Sequence, residues 1–162
     1  MLYAGDEGVA LTWMDAVIGD FAVTPRRGWA VDLVALWYNA ICFSLELASE
    51  VNDLDWVNEW KDLPSKIKCN FEQLFWDEDK GYLADVVTYE IADWSLRPNQ
   101  IFALSLPYPL INVDKAEKIL KNPDSLKKKA SRYFLKADKT QTYSLDTAKI
   151  EKSEKYDGFL AI

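Results

Sequence analysis

The segment at residues 31–50 constrains the fold most, because it carries no charged side chain between Leu33 and Leu45. No glycine or proline interrupts it. Its apolar side chains recur at helical spacing and together cover most of the circumference of a helix. The sequence therefore predicts one helix over residues 31–50 that is buried on nearly all sides, with these apolar positions: Leu33, Leu36, Trp37, Ala40, Ile41 and Leu45.

A second helical pattern covers residues 56–76, where apolar side chains again recur at intervals of three and four positions. Pro64 interrupts this pattern, and Asp62 just before it predicts that a fresh helix begins there. Residues 82–88 are predicted to be a short extended or loop segment, and residues 98–106 and 114–120 to be two more helices. Together these segments predict a mainly α fold.

Composition excludes several kinds of site. The 162 residues suffice for one domain with a substantial core. There is no histidine, so histidine triads, histidine bases and most zinc sites are excluded, and acid–base chemistry must use Asp and Glu, or else Tyr and Lys. Cys42 and Cys69 lack the spacing of metal ligands and are predicted to be reduced core residues. We therefore expect no metal and no cofactor.

The sequence shows no targeting signal, so the cytoplasm is the default expectation. The chain does not open with a charged and then apolar leader, and no apolar run reaches the roughly 20 residues of a membrane helix. A cytoplasmic protein with no membrane partner is expected.

Charge and aromatic residues are unevenly distributed along the chain. Residues 121–162 hold ten basic and six acidic residues, or +4, which leaves nine basic and twenty acidic residues in 1–120, or −11. All seven tryptophans lie in the first part. Aromatic planes beside carboxylates suit sugar rings, although an aromatic core explains them as well. We expect two units, 1–120 and 121–162.

Asp15 stands directly after Trp13 and Met14 in the stretch LTWMDA. A carboxylate beside large apolar groups loses hydration, which favours its protonated form and makes it a proton donor near neutral pH. The alternative is an Asp that caps the start of a helix.

Four stretches taken together carry a family resemblance: LTWMDA at 11–16, TPRRGWAVDLVALWYNAI at 24–41, FEQLFWDEDKGYLADVV at 71–87 and SLRPNQIFALSLPYPLI at 95–111. In the same order and at similar spacing, they resemble the glucosidase domain of glycogen debranching enzymes, the amylo-α-1,6-glucosidases. The resemblance implies an (α/α)6 toroid of the six-hairpin glycosidase type, an α-glucan as partner, and hydrolysis of the α-1,6 bond with inversion.

The resemblance also implies roles for single residues. Asp15 matches the general acid that protonates the glycosidic oxygen, and Trp13 beside it would stack on a sugar. Asp32 stands where the family more often has Glu. The remaining residues implied to line the cleft are Trp37, Tyr38, Asn39, Arg97, Asn99 and Gln100. The alternative for Trp37 and Tyr38 is that they pack in the core around the helix. For the RPNQ block, residues 97–100, the alternative is that it caps a helix and that its arginine pairs with a carboxylate.

Inversion needs a second carboxylate that activates water on the opposite face of the sugar. In the family this group follows a histidine-containing segment with a Trp-Pro-Trp run, and the chain has neither. The resemblance also begins at residue 1, inside the catalytic domain. We therefore expect a partial toroid that is inactive alone.

The tail, residues 121–162, resembles a segment of DDE-type insertion-sequence transposases. Strands are predicted at residues 132–136 and 142–145, a helix at 147–155, and a strand at 156–162 that carries the signature Asp157-Gly158-Phe159. This gives a short α+β tail. A solvated basic tail is the alternative, and no nucleic-acid partner is expected from a net charge of +4.

Three hypotheses follow. The chain is a fragment of an inverting α-1,6-glucosidase, an α-glucan-binding remnant without turnover, or a nonfunctional fusion of a debranching gene with a mobile element. The missing second carboxylate argues against the first hypothesis, and the missing part of the toroid argues against the second.

Overall fold

Helices alternate with very short antiparallel strands along the chain. The computed structural model describes residues 1–6, 9 and 11–122. The predicted strands and helix of the tail lie outside these residues. The elements of the described part are β1 Val17–Ile18, β2 Phe21–Ala22, β3 Trp29–Ala30, α1 Val31–Glu50, α2 Leu54–Trp60, α3 Leu63–Phe75, β4 Trp76–Asp77, β5 Tyr82–Leu83, β6 Val86–Val87, β7 Ala92–Asp93, a 3₁₀ turn Pro98–Ile101, α4 Phe102–Ser105 and α5 Val113–Lys121.

Helix α1 is the centre of the packing and contacts α2, α3, α4 and the 3₁₀ turn. Its 20 residues form one uninterrupted helix, which confirms the prediction for residues 31–50. Phe71 and Phe75 of α3 stack on each other at a centroid distance of 4.5 Å within the same core. The described part is thus about half helical with small sheets, which is compatible with the predicted mainly α fold.

The prediction that α1 is buried on nearly all sides is wrong. Leu36, Phe43 and Leu47 are 44–59 % exposed, and Ala40 between them is also exposed. These residues recur at intervals of four and three positions, so they form one apolar stripe along the helix. By length and composition alone α1 would also suffice to cross a membrane, but core helices pass the same test.

The helix boundaries follow the predicted breaks with local differences. Pro64 lies in the first turn of α3, as predicted, but Asp62 makes no side-chain capping bond. Capping is done elsewhere: Asp53 accepts a hydrogen bond from the Trp56 amide at the start of α2. Cys69, predicted to lie in the core, is exposed because it sits on the outer face of α3, while Cys42 is half-buried.

A three-stranded sheet in the order β3-β6-β7 lies at the start of α1. Trp29 pairs with Val87 and Ala30 with Val86, and β6 and β7 form a hairpin. Gly28, just before β3, has φ +138, and a Cβ there would lie 2.4 Å from the Val87 carbonyl oxygen. Only glycine permits this close approach of the two backbones.

Candidate functional site

Arg26 lies at the centre of a buried cluster of charges. Its Nη2 and Nη1 donate to the two carboxylate oxygens of Asp32 at 2.6 and 3.1 Å. Its Nε and Nη2 donate to the carboxylate of Asp85, 59 positions away, at 2.9 and 3.0 Å. All three side chains are only 1–2 % exposed. Arg26 therefore holds two carboxylates in paired geometry, the strong form of arginine–carboxylate contact.

Asp85 joins this arginine to a second one. Arg97 Nη1 donates to Asp85 at 2.6 Å and to Asp93 at 2.7 Å, and its side chain is 23 % exposed. Asn99 Nδ2 donates to the other oxygen of Asp85 at 2.7 Å. We call Arg26, Asp32, Asp85, Asp93 and Arg97 the arginine–aspartate cluster. It contains two cations and three carboxylates.

Local structure brings these residues together. Asp32 lies in the first turn of α1, where the helix dipole favours a negative charge. Arg26 precedes β3, Asp85 lies between β5 and β6, and Asp93 ends β7, so pairing within the small sheet sets their separation. The Asp85 amide also donates to the Asp93 carbonyl at 2.8 Å. The sheet therefore acts as the frame of the cluster.

The pKa values of Arg26, Arg97 and Asp93 are shifted in the direction that favours their charged forms. Burial lowers the pKa of Arg26, but the hydrogen bonds and charges of Asp32 and Asp85 outweigh it and raise that pKa above the ordinary value. Arg97 behaves in the same way with Asp93 and Asp85. Burial raises the pKa of Asp93, but the hydrogen bonds from Arg97 and Ser95 outweigh it and hold the pKa below its usual range.

Asp15 lies in an exposed segment that touches the cluster through its neighbour. Asn99 Nδ2 donates to the Met14 sulfur at 3.5 Å, so residue 14 lies against the partner of Asp85. Asp15 itself is exposed, and Trp13 is 51 % exposed. The chain continues into β1 and not into a helix, so the alternative of a helix-capping Asp15 is wrong.

Three further residues that the resemblance implied to line the cleft make contacts that stabilise the fold. Asn39 donates to the Tyr108 carbonyl at 2.9 Å and accepts from the Tyr108 amide at 2.9 Å. Gln100 accepts from the Leu83 amide at 3.3 Å. Burial, followed by the hydrogen bond to the neighbouring cysteine thiol, raises the pKa of Tyr38 to about 12, so this hydroxyl remains neutral at physiological pH.

The remaining implied residues divide between core and cluster. Trp37 is half-buried and packs against the core, as the helix-core alternative describes. Arg97 and Asn99 both donate to Asp85, and Asp32 is joined to Asp85 through Arg26. Arg97 thus forms the ion pair with a carboxylate that the alternative interpretation of its motif describes.

Sequence reasoning missed Arg26 and Asp85 and gave Asp93 no role in the cluster. The sequence contained one sign of this cluster. Asp32 stands at the start of a helix whose next 13 positions carry no charge, so its carboxylate requires a cationic partner if it is buried. Arg26 and Arg27 were equal candidates for that partner. The structure buries Arg26 and leaves Arg27 exposed.

One polar atom in the site has no hydrogen-bond partner among the described residues that surround it. This is the Oδ1 of Asn99, in a residue that is 1 % exposed. A buried amide oxygen without a partner calls for a ligand or a water. The part of the chain that the structure describes contains no group of three or more His, Cys, Asp or Glu side chains able to hold a metal ion.

The family that the sequence matches is compatible with the helical content of the described chain. The sequence model of the family amylo-alpha-1,6-glucosidase matches residues 1–131. The chain belongs to this family and is related to glycogen debranching enzymes. Neither a search of curated proteins nor a search of solved structures gave a significant match.

Proposed function

We propose that this chain binds the α-1,6-linked glucose of a branched α-glucan and that Asp15 is the general acid of an inverting hydrolysis. The observation that carries the proposal is the family match over residues 1–131, which includes Asp15 and the arginine–aspartate cluster. The contact between Met14 and Asn99 supports it, because it keeps the Asp15 segment beside that cluster.

In an inverting hydrolysis Asp15 would donate its proton to the departing glycosidic oxygen, while a water would attack the anomeric carbon from the opposite face and lose its proton to a base that the described residues do not supply. The exposed ring of Trp13 stacks on the apolar face of the glucose. Arg97, which is partly exposed, donates to a sugar hydroxyl, and Asn99, which is almost fully buried, acts as a positioning residue through its contacts with Asp85 and Met14. Asp32 acts through Arg26 as a positioning residue.

Trp37, Tyr38, Asn39 and Gln100 are proposed to support the binding wall from behind. Their contacts run to the core and to backbone groups, which supports a positioning role and not direct contact with sugar.

We further propose that the chain alone does not hydrolyse the bond. Each cluster carboxylate accepts at least two hydrogen bonds, and those of Asp32 and Asp85 are almost fully buried. Asp93 is more exposed, but its lowered pKa makes it a weak base. General acid or base assistance is typically worth about 10²–10⁴-fold. Without a base, the chain would bind branched glucan with negligible turnover.

The toroid is proposed on a different observation. The exposed apolar stripe of α1, formed by Leu36, Ala40, Phe43 and Leu47, has the spacing with which one helix packs on another. A partial (α/α)6 toroid, in which further helices cover this stripe, fits that face. We also propose a cytoplasmic location, which two free cysteines among the described residues support.

For the tail we propose an origin in a transposase gene, supported by its basic composition and the Asp157-Gly158-Phe159 signature. The family match reaches residue 131, so we place the change of ancestry beyond that residue. Sequencing the genomic locus tests this: an adjacent transposase remainder is expected, and an uninterrupted debranching gene would contradict it.

The experiment for the glucosidase proposal compares two maltooligosaccharides of equal size, one linear and one with an α-1,6-linked glucose. In calorimetric titration the purified chain should prefer the branched ligand, and Trp13→Ala should abolish this preference. Equal binding of both ligands by the wild-type chain would overturn the proposed site.

Activity is measured as glucose released from limit dextrin. No release is expected. Release by the wild-type chain that disappears in Asp15→Asn would mean that a cluster carboxylate such as Asp93 acts as the base, and the claim of inactivity would then be wrong.

A further inference from the structure

Three aromatic rings form an exposed cluster away from the arginine–aspartate cluster. Trp29 makes edge contacts with Tyr3 at a centroid distance of 5.6 Å and with Tyr89 at 4.8 Å. The rings of Tyr3 and Tyr89 lie within 23° of parallel, with centroids 6.4 Å apart. We call these three residues the aromatic platform. Tyr89 is 86 % exposed and Tyr3 43 %.

The platform is fixed by backbone contacts before any ligand binds. Ala4, beside Tyr3, exchanges two hydrogen bonds of 2.8 Å with Gly28, beside Trp29. Trp29 in turn pairs with Val87 in the small sheet. Three backbone segments are therefore tied together where the rings meet.

The turn that carries Tyr89 is held as well. The hydroxyl of Thr88 accepts from the amides of Glu90 and Ile91 at 3.2 and 3.0 Å, and the Thr88 amide donates to the Ile91 carbonyl at 2.8 Å. A ring held in place and still exposed loses little conformational freedom on binding, which favours stacking on a ligand.

The chemistry of the platform selects a neutral ligand with apolar faces and polar edges. Its rings offer apolar faces, two phenol hydroxyls and one indole N–H at their edges. The charged residues next to it in the chain, Arg27 and Glu90, are both exposed and have opposite signs, so no net charge attracts a polyanion. Sugar units have apolar C–H faces and hydroxyl edges, so the highly exposed ring of Tyr89 can stack on one unit.

The platform is continuous with the candidate site through one hairpin. Asp85 and Asp93 lie at the open end of the β6–β7 hairpin, and Tyr89 lies in its turn. At about 3.3 Å per extended residue, the four positions from Asp85 to Tyr89 span about 13 Å. A single oligosaccharide can therefore contact both regions.

We propose that the aromatic platform is an accessory binding site for the linear α-glucan chain that carries the branch. The proposal rests on the α-glucan substrate proposed above, but it assigns different residues and a different part of the ligand. The platform binds glucose units that undergo no reaction and thereby holds the branch point near Asp15.

The test titrates a linear maltooligosaccharide into the full chain and two variants by calorimetry. Tyr89→Ala should weaken binding by about tenfold, the loss expected when one stacking contact is removed. Ile91→Ala is the matched control, because Ile91 is a large side chain of the same turn that is 71 % exposed. It should leave the affinity unchanged. The exposure of Tyr89 means that its removal should not unfold the chain.

No binding of the linear ligand, equal binding by Tyr89→Ala, or an equal loss in Ile91→Ala would each overturn the platform. The glucosidase proposal fails separately, if the wild-type chain shows no preference for the branched ligand while linear binding still depends on Tyr89. Tyr89→Ala should weaken the binding of linear and branched ligands alike and leave the preference for the branched ligand in place.

Discussion

Replacing Arg26 by methionine tests the arginine–aspartate cluster most directly. Methionine preserves most of the length of the side chain but removes the charge and every hydrogen bond that it donates. Asp32 and Asp85, which are 1–2 % exposed, then lose their principal cation. Breaking a buried pair by removing one partner typically costs 3–5 kcal/mol, because the other charge stays buried without compensation. We expect Arg26→Met to lower the free energy of unfolding by about 4 kcal/mol.

The structure also predicts how further variants rank in their free energy of unfolding. Arg97 and Asn99 still donate to Asp85 in the variant, so the larger part of the loss should arise at Asp32. Adding Asp32→Asn to Arg26→Met removes one uncompensated charge and should recover part of the stability. If Arg26→Met alone does not fold, Asp32→Asn in the wild-type background still reports on the pair through a smaller loss.

The assay is urea unfolding at pH 7, followed by tryptophan fluorescence. Arg27→Met is the matched control, since Arg27 is the adjacent arginine and is exposed. Its effect should stay within about 0.5 kcal/mol. Equal stability of Arg26→Met and Arg27→Met would refute the reasoning, as would a double variant less stable than Arg26→Met.

Three smaller predictions concern other contacts. Gly28→Ala should destabilise the chain by about 1–3 kcal/mol, because alanine at φ +138 is strained and its Cβ meets the Val87 carbonyl; thermal unfolding measures this, and an unchanged midpoint contradicts it. Asn39→Ala should cost about 1–3 kcal/mol in urea unfolding, since the amide and carbonyl of Tyr108 lose their partner. The pKa of Asp93 is lowered on folding, so its contribution is present above the unfolded pKa of about 3.9 and lost as the pH falls through the folded pKa. The stability difference between wild type and Asp93→Asn should therefore disappear at strongly acidic pH, and a difference independent of pH would contradict the pairing.

The helices were predictable because their apolar residues repeat with the period of the helix. Helix α1 has the predicted bounds, and α3 starts at the predicted proline. The seven strands of the described part have two residues each, which is too short for any alternation to appear in the sequence. The helical period of the sequence shows which positions are apolar, but it does not show which of these positions another element covers. This is why the exposure of Leu36 and Phe43 was missed.

The candidate site was predictable only where motifs marked it. Asp32, Arg97 and Asn99 came from stretches with a family resemblance, and the structure joins them through Arg26 and Asp85. The ion pair between Arg26 and Asp85 joins residues 59 positions apart and depends on sheet pairing. Neither residue spacing nor composition therefore predicts it. A predicted site made of separate motifs therefore lacked the residue that holds it together.

Asp15 and the buried carboxylates of the cluster differ in how firmly the structure holds them. Asp32 and Asp85 are fixed by arginines and are almost fully buried, whereas Asp15 leads into a β1–β2 hairpin whose large side chains are 53–74 % exposed: Val17, Ile18 and Phe21. Local stability follows burial and contacts, so this hairpin belongs to the least stable part of the described chain. A misplacement of about 1 Å can reduce a rate by about 10²-fold. Under the proposed function, the weakly held position of Asp15, which the Met14–Asn99 contact keeps near the cluster, adds to the lack of a base as a second reason for the expected inactivity.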